Sequence, residues 1–306
     1  MVEAVLLYYG YAAIDDPEEV VGWLESISGG LVGRVRVAKE GINATLGGEL
    51  AALEAYVTAL REARPLMFGD VDFKLDRVTP DRAGRAADPA LIRECGFEGL
   101  RHRVVDEIVS FGDDAGVFSS SNNNNDDGAA APQRLSRREW DAALARPDAV
   151  VVDVRNSYES AVGRFVCPAT VLAPQVRSTS GFAQWLDGAH LPERRDVFLY
   201  CTGGVRCETA ARLVRRKKNP SSISLLEGGV LKYLQDVKAT GENNESLFHG
   251  RLFVFDPRVS VPGVAPLGDE HAPTCARCRR PNVGDYCLDD DDDDDIERGQ
   301  RTPRLE

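Results

Sequence analysis

Two rhythms of apolar runs divide the 306-residue chain and predict an α+β domain followed by an α/β domain. In residues 1–111 the runs fall in the order β-α-β-β-α-β, whereas in residues 134–240 short, fully apolar strands alternate with helical patterns. Between them, residues 112–133 read GDDAGVFSSSNNNNDDGAAAPQ, with almost nothing to bury, which predicts a disordered linker. A Cys-containing segment and an acidic disordered tail are predicted over residues 241–306.

The first strand is the apolar run at residues 4–9. A helix opens at Asp16-Pro17, where Asp caps and Pro suits the first turn, and runs through Val20, Val21 and Leu24 to the Gly29-Gly30 pair. Strands at 33–38 and 42–46 follow, joined by a short turn containing Gly41. A second helix covers 50–63, and residues 71–75 make the fourth strand. This is the split ferredoxin-like order, in which two helices cover one face of a four-stranded antiparallel sheet. Residues 104–109 predict one further strand before the linker.

Beyond the linker, Ser136 caps a helix to residue 144, with Glu139 at the capping-box spacing. Residues 150–154 and 197–200 are short apolar strands, the second ending at Cys201. A helix over 208–216, a strand at 223–226 and a helix from Val230 complete the alternation. Such alternation implies a parallel sheet with helices on both faces, and ligands of open parallel sheets collect at the carboxyl ends of the strands.

No apolar run reaches the roughly 18 residues a spanning helix needs, and the opening residues run into acids without a basic segment. Membrane and secretory classes are set aside in favour of a cytoplasmic or organellar protein. Seven cysteines, an odd number without a secretory signal, predict reduced thiols with catalytic or metal roles. The net charge of −12 lies outside the middle of the chain: residues 133–270 are net positive, and Arg215, Arg216, Lys217 and Lys218 form one basic run that is able to face phosphates.

The chemistry is concentrated in Tyr200-Cys201-Thr202-Gly203-Gly204-Val205-Arg206-Cys207-Glu208. A cysteine at the end of a buried strand is followed by a two-glycine loop that leads into a helix. Such a loop turns its amide N–H groups inward and lies at the positive end of the helix. Both effects, with Arg206 beside them, stabilise a thiolate, so Cys201 is expected to titrate below the free-thiol value of about 8.5 and to be open to substrate. The bland reading, a small buried hydrophobe ending a core strand, fits the cysteine alone but not the whole Cys201–Cys207 loop.

The segments VVVDVRNSYESAVGRF, YCTGGVRCE and LLEGGV resemble a rhodanese domain. Together with GRVRVAKEGINATL near the N-terminus, they are similar to the rhodanese-containing tRNA uridine-34 hydroxylase family, whose first domain is acylphosphatase-like. That resemblance implies oxidation of the wobble uridine of tRNA to 5-hydroxyuridine with molecular oxygen, through the cysteine matching Cys201. Ordinary rhodanese domains instead carry a persulfide on this cysteine and need a small sulfur donor or thiol. A non-catalytic RNA-binding or regulatory module is the third reading. Where the family usually has a His after a glycine, this chain has Arg164.

Several residues have two readings. Asp153 and Arg155 end the strand expected beside the one carrying Cys201, where they support the loop or form a scaffold ion pair. Glu159 is read as an acid in a helix's first turn. Cys207 is either a resolving thiol for Cys201 or a packing residue. Cys275, Cys278 and Cys287, with His271, offer the beginning of a zinc cluster, although the last runs into seven aspartates. The acylphosphatase-like stretch Tyr9 to Ala13 has no Arg, so phosphatase activity is not expected. Arg34, Arg36 and Lys39 place cations along one strand, near Tyr8 or Tyr11 as a stacking platform for RNA, or else form a solvated face. No dinucleotide fingerprint or two-His-one-carboxylate spacing is present, so no tightly bound cofactor is expected.

Overall fold

The computed structural model describes residues 2–78, 97, 99–112, 131–241, 246–256, 258 and 260–263. The middle of the expected linker (113–130), Cys275, Cys278, Cys287, His271 and the aspartate run lie outside the described residues.

The first unit contains β1 (Ala4–Tyr11), α1 (Pro17–Ile27), β2 (Val32–Ala38), β3 (Gly41–Gly48), α2 (Leu50–Ala63), a short α3 (Pro65–Phe68), β4 (Lys74–Arg77) and β5 (Leu100–Val104). Asp16 caps α1 by accepting from the Glu19 N–H at 3.0 Å, as its position in the sequence predicts. The sheet has five strands in the order β4-β1-β3-β2-β5, not four. β5 lies parallel to β2 at the edge. Alternation along β1 splits its residues: Ala4, Leu6 and Tyr8 enter the core formed with Leu24, Leu53, Tyr56 and Leu60, so Leu7, Tyr9 and Tyr11 point to the opposite face.

Two strands sit elsewhere than expected. Val71 N–H bonds the Phe68 carbonyl at 3.3 Å in the turn after α3, which delays β4 to residue 74. The apolar residues at 104–109 do not extend as a strand because Ile108 and Phe111 turn inward and are buried. Phe111 meets Phe182 edge-on at 6.0 Å, within the core of the second unit.

The second unit comprises β6 (Gln133–Leu135), α4 (Arg137–Leu144), β7 (Val150–Asp153), α5 (Ser157–Val162), β8 (Gly163–Phe165), β9 (Thr170–Leu172), α6 (Thr179–Gly188), β10 (Asp196–Tyr200), α7 (Val205–Lys217), β11 (Ser222–Leu226) and α8 (Gly229–Thr240). Ser136 and Glu139 form the expected capping box on α4. The sheet β6-β11-β10-β7-β9 is parallel throughout, with a packed core on each face. β6 begins at Gln133, which the sequence assigns to the linker. Past residue 240, β12 (Phe248–Phe253) and β13 (Ser260–Pro262) join β8 in a three-stranded sheet. Phe248 and Leu252 enter the main core, so apolar burial carries this unit beyond the expected limit at residue 240.

Candidate active site

Cys201 is the first residue after β10, at the carboxyl end of the central strands. Gly204 adopts φ +99°, a left-handed conformation that glycine takes without strain, and α7 starts one residue later. The next strand–helix junction holds this loop from behind. Val230 N–H donates to the Cys201 carbonyl at 3.0 Å and Leu231 N–H to that of Thr202 at 2.9 Å. Gly229, at φ +67°, allows this approach: a Cβ there would lie 2.6 Å from the Cys201 carbonyl oxygen and 2.7 Å from the Gly204 nitrogen.

Around the sulfur, Gly204 N–H donates to Sγ at 3.1 Å, and the Arg206 N–H and the Cys207 thiol also donate. Burial pushes the Cys201 thiol up, but the Cys207 hydrogen bond, the Arg206 charge and the two backbone donors outweigh it and bring the pKa down to about 6. Cys207 moves the opposite way, pushed well up by burial and by donating to its neighbour. The sulfur is therefore anionic at neutral pH, while Cys207 remains a protonated donor. The expected open thiolate is only half present, because Cys201 is 0% exposed.

Arg206 is aimed by Glu159. Its Nη1 and Nη2 donate to the two Glu159 oxygens at 2.6 and 2.8 Å, and Thr202 Oγ1 donates to Glu159 Oε2 at 2.7 Å. Glu159 Oε1 also accepts the Asn156 N–H at 3.0 Å, the helix-capping bond expected of it. Burial raises the Glu159 pKa, but Arg206 overrides it and holds the carboxylate ionised. Asp153 and Arg155 are joined to each other: Arg155 Nε and Nη2 donate at 2.8 and 2.7 Å, Tyr200 Oη donates to Asp153 Oδ2 at 2.7 Å, and Arg155 Nη2 reaches the Gly163 carbonyl at 2.8 Å. This is the scaffold reading of the pair, tying β7 to β10 through the register Asp153↔Tyr200.

The first unit supplies the cover over the loop. Leu7 lies 3.0 Å from where a Cβ on Gly203 would be, and Tyr9 Oη 2.8 Å from one on Gly204. Tyr11 Oη donates to the Val205 carbonyl at 3.3 Å and pairs with Thr209 Oγ1 at 3.2 Å. Lys74, on neighbouring β4, is buried beside Tyr9, and Arg134 pairs with Glu208 at 2.9 Å on the helix that follows the loop. Sequence reasoning missed Leu7, Tyr9 and Lys74. The alternation of LLYYGY shows that Leu7, Tyr9 and Tyr11 share a face, but nothing local tells what that face meets.

The cations expected to meet nucleic acid are dispersed. Arg34 and Arg36 share the sheet face of Tyr9, with Arg101 and Arg103 opposite them on β5; Arg34 Nη2 donates to the Phe255 carbonyl at 2.8 Å. Lys39 is exposed in the turn after β2. Tyr8 is no stacking platform, being fully buried with its hydroxyl on Tyr56 at 2.8 Å, and Tyr11 is engaged at the interface. Arg215, Arg216, Lys217 and Lys218 lie at the far end of α7, roughly 18 Å from the loop at 1.5 Å per residue. There Lys217 pairs with Asp187 at 2.7 Å and Lys218 caps the end of α6 through the Ala189 carbonyl at 2.7 Å. Arg164 lies on β8 opposite His249. Among the described residues, no three His, Cys, Asp or Glu side chains converge as a metal-binding set, and no helix is long and apolar enough to cross a membrane.

Comparison with known proteins agrees with this architecture. Residues 3–108 match the UPF0176 acylphosphatase like domain, and residues 136–236 match the Rhodanese-like domain. The Rhodanese-like domain-containing protein 6 of Arabidopsis thaliana is 34% identical over 90% of this chain, which spans 48% of that protein's length. The tRNA uridine(34) hydroxylase of Pseudarthrobacter chlorophenolicus is 31% identical and that of Caulobacter vibrioides 33%, each over 90% of this chain and over 86% and 80% of their own lengths. The two domain matches, with bacterial relatives more than 30% identical and matched over most of their length, show that the chain belongs to the tRNA uridine(34) hydroxylase family.

Proposed function

We propose that this chain hydroxylates carbon 5 of the wobble uridine of tRNA, with molecular oxygen as co-substrate and Cys201 as the reacting thiol. The reading is supported by the activity for which the bacterial relatives are named. Its structural support is one observation: a sulfur brought down to a pKa of about 6 by donors that all converge on it from its own loop and helix. A thiolate at neutral pH is the form that reacts with an electrophile or an oxidant. Glu159 holds the Arg206 guanidinium in place, and the Val230 and Leu231 amides fix the loop carbonyls, so the site is organised before substrate arrives. Because Leu7 and Tyr9 lie over Gly203 and Gly204, a base reaches the sulfur only when β1 moves away from the loop. A flipped pyrimidine, out of its stack, is the substrate form such an opening admits.

Nucleoside mass spectrometry of tRNA tests the reading, in cells lacking the protein and rescued with wild type or Cys201→Ala. Wild type is expected to restore 5-hydroxyuridine and its derivatives, and Cys201→Ala to leave them absent. Unchanged tRNA, together with thiocyanate formation from thiosulfate and cyanide in vitro, would replace the hydroxylase by a sulfurtransferase.

A further inference from the structure

One aromatic ring stands at the surface where the two units meet. Phe255, in the segment after β12, is 37% exposed, and no other Phe, Tyr or Trp among the described residues is exposed. The segment that carries it is tied to the first unit twice: the Phe255 carbonyl accepts from Arg34 Nη2 of β2 at 2.8 Å, and Arg258 bridges Asp256 and Asp76 of β4. The ring itself meets Phe253 edge-on at 5.2 Å, and Phe253 meets Tyr158 of α5 in the same way, also at 5.2 Å. The Arg206 guanidinium, which helps lower the Cys201 pKa, lies 5.8 Å from the Phe255 ring centre. A rigidly held ring thus stands one side chain away from the activated sulfur. Its exposed face adds nothing to the fold by burial, whereas a nucleic-acid base stacked on that face is covered by it.

The sheet face that meets the loop continues into a basic edge. Arg34 and Arg36 of β2 stand directly beside Arg101 and Arg103 of β5 in parallel register, and Arg36, Arg101 and Arg103 are exposed. Strand geometry puts such Cα atoms about 4.8 Å apart across the ladder and about 6.6 Å apart along it. Like charges paired across a ladder disfavour the pairing, and a polyanion relieves that repulsion. Arg34 joins this edge to Phe255 through the carbonyl bond.

We propose that Phe255 and the edge of Arg36, Arg101 and Arg103 form the binding surface for a single-stranded RNA loop. A base next to the reacting one stacks on the Phe255 ring, and the phosphates that follow it lie along the arginines. The proposal rests on the reading that Cys201 acts on a base of RNA. A splayed loop presents free base faces that a duplex keeps stacked, so a lone ring beside a cationic edge selects the loop.

The test is equilibrium binding of the full chain to a fluorescently labelled RNA stem-loop with uridine in its loop, and to a fully paired RNA duplex of equal length. Anisotropy is read over a range of salt concentrations, and folding is followed by circular dichroism. Wild type is expected to prefer the stem-loop. Phe255→Leu, which keeps apolar volume and removes the aromatic face, is expected to weaken stem-loop binding about tenfold and to leave duplex binding unchanged, while Phe255→Trp binds at least as tightly as wild type. Arg36→Gln combined with Arg103→Gln is expected to reduce the slope of log affinity against log salt by about 1.4. Wild-type affinity in folded Phe255→Leu, an equal loss for stem-loop and duplex, or an unchanged salt slope in the arginine variant each overturns the proposal. The arginine measurement stands whether or not Phe255→Leu folds. An unmoved affinity in these variants leaves the hydroxylase reading in place, and tRNA left unmodified by wild type removes that reading without touching the binding result.

Discussion

Two buried carboxylate–guanidinium pairs lie beside β7 and β10, alike in chemistry and different in what they hold. Asp153 and Arg155 are two residues apart, both 0% exposed, and their hydrogen bonds go to the scaffold: Tyr200, the Gly163 carbonyl and each other. Glu159 and Arg206 are 47 residues apart and span from α5 to the first turn of α7. Their network includes Thr202, and the Arg206 charge helps lower the pKa of Cys201. A buried ion pair gains little net stability, since desolvation offsets attraction, but removing one partner strands the other. What distinguishes the pairs is therefore where the stranded or surviving charge is felt. In the first it is felt by the fold, in the second by the sulfur.

Breaking the scaffold pair gives the largest stability effect. Arg155→Met leaves the Asp153 carboxylate buried without its cation and is expected to cost about 3–5 kcal/mol, measured as the shift of a urea unfolding midpoint. The fraction that remains folded should still titrate Cys201 near 6. A displaced sulfur titration in that fraction would erase the distinction between the pairs.

Breaking the loop pair moves chemistry instead. Wild-type turnover should rise with pH through about 6, because the sulfur is a thiol below that value and a thiolate above it. Arg206→Met removes a charge that lowers this pKa and should shift the acid limb upward by about one unit, so that rates at pH 6 fall severalfold more than rates at pH 8. Glu159→Gln keeps the shape of the pair and frees Arg206 from its carboxylate. A smaller loss with little change in the limb is expected from it, read in the same pH profile.

A third change sharpens the comparison within the loop. The Cys207 hydrogen bond is the foremost influence lowering the Cys201 pKa, so Cys207→Ala should raise it by at least as much as Arg206→Met does, and Cys207→Ser, which retains an O–H donor, by less. Activity is expected to weaken in both, most near pH 6. A loss as complete as that of Cys201→Ala would mean that the second sulfur takes part in electron transfer rather than hydrogen bonding.

The Cys201 loop was legible because its causes are local. A buried strand ending at Cys201, two glycines and a helix start dictate inward amides and a depressed pKa within a few residues. The same locality made the α1 and α4 caps and the parallel order around β10 readable. The failures are places where distant contacts outweigh pattern. Residues 71–75 alternate like a strand, yet the turn after α3 claims Val71 and pairing with β1 selects 74–77. The apolar run before the linker reads as a strand, yet Ile108 and Phe111 are drawn sideways into cores, and the edge pairing falls to 100–104. The basic run at the end of α7 reads as a phosphate-facing patch, yet Lys217 and Lys218 are bonded to α6 and the residue that follows it.

By itself, the amino-acid order determined which sulfur is activated, because a thiolate's nearest donors come from the segment that carries it. Only the tertiary structure decided that this sulfur is covered by Leu7 and Tyr9 and that Glu159 aims Arg206. Those neighbours lie from about 40 to nearly 200 residues away along the chain, beyond the reach of any helix or strand period. Their meeting is set by which apolar faces the two units bury against each other, and periodicity states that a face is apolar or polar without saying what it will meet.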